Sequence, residues 1–378
     1  MSRFIIACGG TGGHLSPGIA LAEALGARGH EVTLFISHKA VDTRLVEKYP
    51  HLPAVRVHSA PFGWRPDVHL RFHWQQSQGF VFCRRFLRIY RPDAIVGFGG
   101  FTNAAVVLAA RLRGIPVALH EANRVPGRAV RVLSRIARRL YLPPGVRLPG
   151  VRGLFVRHTG LPVRNEIAHL RRDEARAQLG VNPAQKLLVV IGGSQGSGAL
   201  NAWVEANLAA LAQDGIQVYA ITGLGKGASG VRELPSRTGQ PVRAWFEPFS
   251  DRMGVLMSAA DLVLSRAGAG TIAELVRCET PAVLIPYPHA ADNHQLANAT
   301  YFEQQGGGLL IGETALGSLR QEVLDVIFND WLLNKFRANL RRMAQENRID
   351  PLVHDLEDLA SGTPPARHLR HASASTGP

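Results

Sequence analysis

Between Ser265 and Asn298 the sequence SRAGAGTIAELVRCETPAVLIPYPHAADNHQLAN gathers the residue types that bind phosphate and hydroxyl groups. An apolar run, Leu262 to Leu264, leads into a glycine turn, Gly268 to Gly270, and a helix is expected from about Thr271. Such a junction presents unpaired backbone N–H groups and the positive end of a helix dipole to an anion. Glu274 falls about one turn inside that helix. A second apolar run, Ala282 to Ile285, opens into a polar loop carrying Asp292, Asn293, His294, Gln295 and Asn298, whose amides and carboxylate suit sugar hydroxyls beside a bound phosphate. The stretch reads as a sugar nucleotide site. Glycine at a strand-to-helix turn is also ordinary scaffolding in α/β proteins, so the rest of the chain has to decide.

Two more candidate groups lie upstream. The run Arg3 to Cys8 has strand length and is followed by GGTGGH, Gly9 to His14; Ser16 and Pro17 then form a cap and first-turn pair for a helix reaching about Arg28. With the strand Glu31 to Ile36 this makes a βαβ start with a glycine-rich turn. No Lys-Ser/Thr follows, so it is not a Walker loop, and the GxGxxG order is missing. His38 and Lys39 stand where an NAD enzyme places its ribose-binding acid, which disfavours a dehydrogenase. His14 stands at the mouth of the turn, as a general base, a phosphate contact or a solvated helix-start histidine. Further on, Ala94 to Gly97 ends in GFGGF, Gly97 to Phe101, and Val117 to Leu119 ends in His120, Glu121, Ala122 and Asn123. Polar groups at the carboxyl ends of parallel strands belong to a ligand crevice, so His14, Phe101, Glu121 and Asn123 are expected on one rim.

The elements that must position these groups repeat. Lys186 to Ile191 is a strand, GGSQG spans Gly192 to Gly196 and a helix is expected from Ala199 to about Leu211, as in the opening of the chain. Val218 to Ile221, Val242 to Trp245 and Asp261 to Leu264 supply further strands. The expectation is two doubly wound α/β domains, each aiming a glycine turn into a common cleft. A length of 378 residues, 46% hydrophobic and 19% charged, agrees with two globular cores. Proline and glycine gather between Pro143 and Pro162, placing the boundary there: residues 1–162, then 163–347. The second part ends in a helical stretch, Leu319 to about Asn347, with a break at Asp330 and Trp331. A last helix at about 348–360 returns to the first domain, and residues 361–378 form a disordered tail.

Cys8, Cys83 and Cys278 lie far apart without metal-ligand spacing, so a disulfide framework or zinc site is not expected. The short first strand is no signal peptide, and no apolar run reaches the roughly 18 residues of a membrane span, which points to a soluble or peripheral protein. The net charge of +14 is uneven: residues 1–163 hold 23 Lys and Arg against 7 Asp and Glu, the remainder 20 against 22. A basic first half suits a polyanion, either nucleic acid or an anionic membrane. Phe62, Trp64, Phe72, Trp74 and Phe82 are interleaved with Arg84, Arg85 and Arg88. That mixture fits a lipid headgroup layer, stacking on single-stranded nucleic acid, or a helix with its aromatic face in the core.

Taken together, GGTGGH, GFGGF, GGSQG and RAGAGTIAE followed by DNHQLANA resemble the MurG family, peripheral bacterial glycosyltransferases that add N-acetylglucosamine to lipid I to form lipid II. The likeness runs over about residues 3–345. It implies an α/β fold of the GT-B type, with the lipid acceptor on the first domain and UDP-N-acetylglucosamine mainly on the second, at the cytoplasmic face of the inner membrane. It further implies that Thr11, Gly12 and Gly13 lie near the donor diphosphate and that Asn123, Arg164, Ser194, Gln195 and Gln295 are donor-binding positions. Ser250 matches a residue that offers its backbone to uracil. Ala269, Gly270, Thr271, Ile272, Ala273 and Glu274 match the nucleotide turn, with Glu274 on the ribose, and His294 and Gln295 reach the sugar. Three positions depart from the family pattern: Leu161 replaces Asn, Ala122 replaces Gln, and Phe101-Thr102-Asn103 replaces a Tyr-Val-Ser run.

An inverting transfer of this kind needs a base for the acceptor C4 hydroxyl and N–H dipoles or positive charge for the departing UDP. His14 is the first candidate base and Glu121 the second. The glycine turns would stabilise the leaving group with no obligatory metal, and no DxD pair is present. Two other classes stay open from the sequence: a related GT-B enzyme with another nucleotide sugar or acceptor, and a nucleic-acid-binding protein, which would leave the second glycine turn and the DNHQ loop unexplained.

Overall fold

The computed structural model describes residues 1–362 apart from 11, 61–64, 152, 194–195 and 228; the expected tail beyond 362 lies outside them. The first half runs β1 (Arg3–Ala7), α1 (Gly12–Ala27), β2 (Glu31–Ile36), α2 (Ala40–Val46), β3 (Ala54–Arg56), α3 (Pro66–Tyr90), β4 (Ala94–Gly97), α4 (Thr102–Arg111), β5 (Val117–His120), α5 (Arg128–Leu133), β6 (Arg139–Leu142) and β7 (Val156–His158). The second half continues through α6 (Arg172–Leu179), β8 (Lys186–Ile191), α7 (Gly198–Gln213), β9 (Ile216–Ile221), β10 (Gly230–Leu234), β11 (Val242–Glu247), α8 (Met253–Ala259), β12 (Leu262–Ser265) and α9 (Ala269–Arg277). It closes with β13 (Ala282–Leu284), α10 (His294–Gln304), β14 (Gly308–Leu310), α11 (Leu319–Ile327), α12 (Asp330–Glu346) and α13 (Asp350–Ala360).

The strands form two sheets. The first, in the order β3-β2-β1-β4-β5-β6-β7, is parallel throughout; the second, β10-β11-β9-β8-β12-β13-β14, is parallel except for the edge pair β10 and β11. Strands such as β1, apolar from Phe4 to Ala7, and AIVG are continuous apolar runs because helices cover both faces of a parallel sheet. In the first sheet the winding reverses between β1 and β4, in the second between β8 and β12. The carboxyl ends at such reversals diverge and leave a crevice. All four glycine motifs follow these four strands, which is why they converge.

Helix α1 starts at Gly12, four residues before the expected Ser16 cap, and carries Pro17 inside it. The proline lies in the second turn and lacks the N–H that would reach the Gly13 carbonyl. Gly18 then allows close packing on β1, since a Cβ there would stand 2.5 Å from the Cys8 Cβ. The break expected near Asp330 is the short turn between α11 and α12, where Asn329 caps the second helix by accepting the Leu332 N–H at 3.0 Å.

Helix α13 packs on the first sheet, with Leu352, Val353, Leu356 and Leu359 in one core with Phe4, Ile6, Leu34 and Val96. A buried polar knot fixes it there. Asp355 accepts hydrogen bonds from Tyr141 Oη at 2.7 Å, Arg139 Nε at 3.2 Å and Arg157 Nε at 3.3 Å. Among the described residues no helix is long and apolar enough to cross a membrane.

Candidate active site

The first crevice is built around Gly9 and Gly10. A Cβ on Gly9 would stand 2.2 Å from the Ser37 nitrogen, and Gly10 has φ +120°, a conformation that side chains resist. The polar groups of this turn are held by side chains from three elements. Thr102 Oγ1 donates to the Gly9 carbonyl at 3.0 Å, the Gly10 N–H donates to Asp42 Oδ2 at 2.7 Å, and Lys39 Nζ donates to the Gly10 carbonyl at 2.8 Å. His14 follows in the first turn of α1. Its imidazole lies against the GFGGF turn: a Cβ on Gly99 would be 3.4 Å from its Nε2 and one on Gly100 3.3 Å from its Nδ1. Both glycines have positive φ, so the turn wraps the ring closely. Burial pushes the His14 pKa down to about 4, with Asp42 opposing and His294 and Lys39 assisting. The ring is therefore neutral at pH 7 and able to take a proton.

The loop after β5 holds Glu121 and Asn123. Glu121 is buried, and its carboxylate accepts the Asn123 N–H at 2.8 Å, the Asn123 side-chain amide at 3.2 Å and the Gly127 N–H at 2.7 Å. Both oxygens are thus committed to folding their own loop. The geometry gives Glu121 an organising place in this loop. Asn123 lies on the cleft side, where its Oδ1 accepts from Asn298 Nδ2 at 3.1 Å.

In the second crevice Gly192 and Gly196 bring the end of β8 against its neighbours, and Ser197 caps α7. Arg266, buried behind the turn, donates from Nε to Ser197 Oγ at 3.1 Å and from Nη1 to the Ile285 carbonyl at 3.3 Å. Ala269, Gly270, Thr271, Ile272 and Ala273 form the first turn and a half of α9, two residues earlier than expected, with Gly268 at the cap and no side-chain cap bond. Its leading N–H groups are therefore presented to a ligand. Glu274 lies beside Arg164, with Oε1 3.6 Å from Nη2. Burial raises the Glu274 pKa while Arg164 pulls it down. The same guanidinium donates from Nη1 to Glu166 at 2.6 Å and to Tyr49 Oη at 3.2 Å, which links α9 to the turn that follows α2. Ser250 is buried between β11 and α8, its Oγ accepting the Arg252 N–H at 3.3 Å.

The DNHQ loop crosses toward the first unit. Asp292 and Asn293 both take left-handed backbone conformations, φ +50° and +53°, which two consecutive non-glycine residues seldom do. Arg131 Nη2 donates to Asp292 at 2.7 Å from α5, and Asn298 Oδ1 accepts the Arg124 N–H at 2.9 Å. His294 is near enough to His14 to affect its titration, and Gln295 Oε1 accepts the Tyr287 N–H at 2.9 Å. The structure thus places His294 near His14, Asn123 against Asn298 and Glu274 beside Arg164. Thr11, Ser194 and Gln195 lie outside the described residues, while Gly12 and Gly13 open α1.

Sequence reasoning missed Asp42, Asn298 as a bridge, and Arg266. The signal for Asp42 was an acid in the first turn of α2, overlooked because an acid was sought at the end of β2 itself. Among the described residues no group of three or more His, Cys, Asp or Glu side chains could hold a metal ion.

Helix α3 buries Gly79, Cys83 and Leu87 and turns Leu70, Trp74, Val81, Phe82 and Ile89 outward. Arg84, Arg85 and Arg88 are exposed on the same helix. Two readings of this segment therefore hold at once, a core face and an apolar basic outer face. Phe72 is half-buried on the inner side, and Phe62 and Trp64 lie outside the described residues.

Residues 4–142 match the model of the glycosyltransferase family 28 N-terminal domain and residues 187–348 that of the family 28 C-terminal domain. The chain is 59% identical to the UDP-N-acetylglucosamine–N-acetylmuramyl-(pentapeptide) pyrophosphoryl-undecaprenol N-acetylglucosamine transferase of Opitutus terrae, covering 96% of this chain and 98% of that one. It is 32% identical to the transferase of the same name from Halothermothrix orenii, over 96% and 100% of the two chains. The crystal structure of Acinetobacter baumannii MurG shares the fold with a TM-score of 0.71 at 24% identity, over 95% of this chain and 100% of that one. With the two glycine-lined crevices, these matches show that the chain belongs to the MurG family, within glycosyltransferase family 28.

Proposed function

We infer that this protein transfers N-acetylglucosamine from UDP-N-acetylglucosamine to the C4 hydroxyl of the muramyl sugar of lipid I, forming lipid II for peptidoglycan synthesis. The observation that carries the reading is the approach of α1, which carries His14, to α9 across the cleft in a chain of this family.

The roles are those that the family resemblance implies. His14, neutral at pH 7, takes the acceptor proton as the hydroxyl attacks the anomeric carbon from the first unit. The departing UDP is held by the N-terminus of α9 and the glycine turns, where N–H dipoles meet the growing negative charge. Glu274 accepts the ribose hydroxyls beside Arg164, the backbone at Ser250 meets the uracil, and His294 and Gln295 meet the sugar. Asn123 belongs to the donor contacts and Glu121 shapes the loop that carries it. No obligatory metal is invoked, so turnover is expected to survive EDTA; a loss restored by magnesium would overturn that part.

The outer face of α3 is assigned to an anionic phospholipid surface at the cytoplasmic side of the bacterial inner membrane, apolar side chains entering the headgroup layer and arginines pairing with phosphates. The direct test of function is a transfer assay with a short-chain lipid I analogue and UDP-N-acetylglucosamine, run against UDP-glucose. Selective formation of the disaccharide product is expected, together with a loss on the order of 100-fold in His14→Ala. Equal use of UDP-glucose would replace the donor, and turnover within about threefold in His14→Ala would remove the base.

A further inference from the structure

Asp42 is fully buried at the start of α2, yet a carboxylate is costly to bury without a task. One of its oxygens makes three hydrogen bonds: Oδ2 accepts the Gly10 N–H at 2.7 Å, the Ser37 hydroxyl at 2.6 Å and the Ser37 N–H at 3.2 Å. Its Oδ1 is buried with no hydrogen-bond partner. A purely structural acceptor in this place needs no charge, since an amide oxygen would serve the same three donors. The opposite side of the same turn is held by a cation, Lys39 Nζ on the Gly10 carbonyl at 2.8 Å, which also lies 4.9 Å over the Phe101 ring. Both polar groups of Gly10 are therefore gripped by residues of the β2–α2 connection, one anionic and one cationic. The turn they grip leads into α1, whose first turn carries His14.

We propose that Asp42 is a positioning residue for the transfer reaction, fixing the Gly9–Gly10 turn that places His14 and supplying the negative charge that supports the imidazolium formed when His14 takes the acceptor proton. The proposal rests on the reading of His14 as the base. Three charged or titratable groups face that imidazole: Asp42 from α2 favours its protonated form, while Lys39 from the preceding loop and His294 from α10 oppose it. Removing Asp42 or Lys39 therefore moves the titration of His14 in opposite directions, although either change loosens the same turn.

The experiment compares Asp42→Asn, Lys39→Met and His14→Ala with wild type. Each is assayed for kcat and KM of the lipid I analogue between about pH 3 and 8, with titration of UDP-N-acetylglucosamine as the check that the second unit is intact. For Asp42→Asn, kcat falls about 10- to 50-fold with donor affinity within about threefold of wild type, and the acid limb of kcat/KM moves to lower pH. For Lys39→Met the acid limb moves to higher pH. The Asn variant keeps the shape and the acceptor oxygen, so a loss there reports charge rather than collapse. If it fails to fold, the upward shift in Lys39→Met still tests the electrostatic couple, and an unmoved limb in that variant overturns the proposal. A normal kcat and unmoved acid limb in Asp42→Asn, with His14→Ala inactive, overturns it as well. An active His14→Ala instead removes the base assignment on which it stands.

Discussion

Glu274 and Arg164 form the least replaceable pair in the nucleotide crevice, because each is enclosed and each limits the cost of burying the other. Removing the carboxylate takes away one of the two acidic neighbours of the guanidinium, leaving Glu166, together with the acceptor proposed for the ribose hydroxyls. Glu274→Ala is therefore expected to weaken UDP-N-acetylglucosamine binding by about 100-fold, roughly the 3 kcal/mol of a charged hydrogen-bonded contact; calorimetric titration reads it. Burial also raises the pKa of this carboxyl, so donor affinity should begin to fall at a higher pH than an ordinary carboxylate would give, a trend visible in the same titration repeated down the pH scale. His120 makes a second residue-level case. Its Nε2 donates to the Gly160 carbonyl at 3.1 Å, its Nδ1 is buried without a partner, and burial lowers its pKa to about 4. The unfolded chain binds more protons between pH 6.5 and 4, so the contribution is whole above about 6.5 and is lost as the pH falls toward 4. Urea midpoints should drop across that window, and His120→Gln should flatten the drop; an equal slope in the variant would assign it elsewhere.

At the scale of the element, α3 has a two-sided composition whose outer face follows helical spacing through Leu70, Trp74, Val81, Arg85 and Ile89. Each arginine near an anionic surface is worth about 1 kcal/mol, so reversing Arg84 and Arg85 together removes at least two such terms and adds repulsion. Arg84→Glu/Arg85→Glu should stay in the supernatant when anionic vesicles are sedimented, while wild type pellets with them; equal pelleting would place the membrane contact on another face. Elements with one dominant period or a glycine turn at their end were legible in the sequence: β1, β2, β4, β8 and α9 stand within a residue or two of expectation. Those missed have a physical reason. β6 is RLYL, whose apolar run is only three residues long because its first position is given to Arg139, which answers Asp355 more than two hundred residues away. β3, β7 and β14 are three residues each, too short to show a period. The glycine turns told where the cleft lies, but not that Asn298 would bridge it or that Glu121 would be used up by its own loop, since those depend on which loops meet.

Across the whole molecule the two units are joined by contacts of unequal weight. Exposed pairs such as Arg128 with Asp292 contribute little. Asn298 is different: it is buried and at once meets the Asn123 side chain, the Arg124 N–H and the Ala267 carbonyl. Asn298→Ala leaves those groups unpaired and should lower the unfolding free energy by about 1–3 kcal/mol. It should also enlarge the radius of gyration of the substrate-free protein in X-ray scattering. An unchanged radius would mean that the bridge does not hold the cleft. The return of α13 to the first sheet has another consequence. The chain leaves the first unit near Gly160 and comes back near Asn347, and these two residues touch, so closely that a Cβ on Gly160 would overlap the Asn347 side chain. In engineering terms, the nucleotide-binding unit is a cassette inserted into the first unit through two adjoining seams. It can be exchanged for that of a relative by two cuts at one spot, whereas a single cut at the linker would strip the first unit of the helix that completes its core.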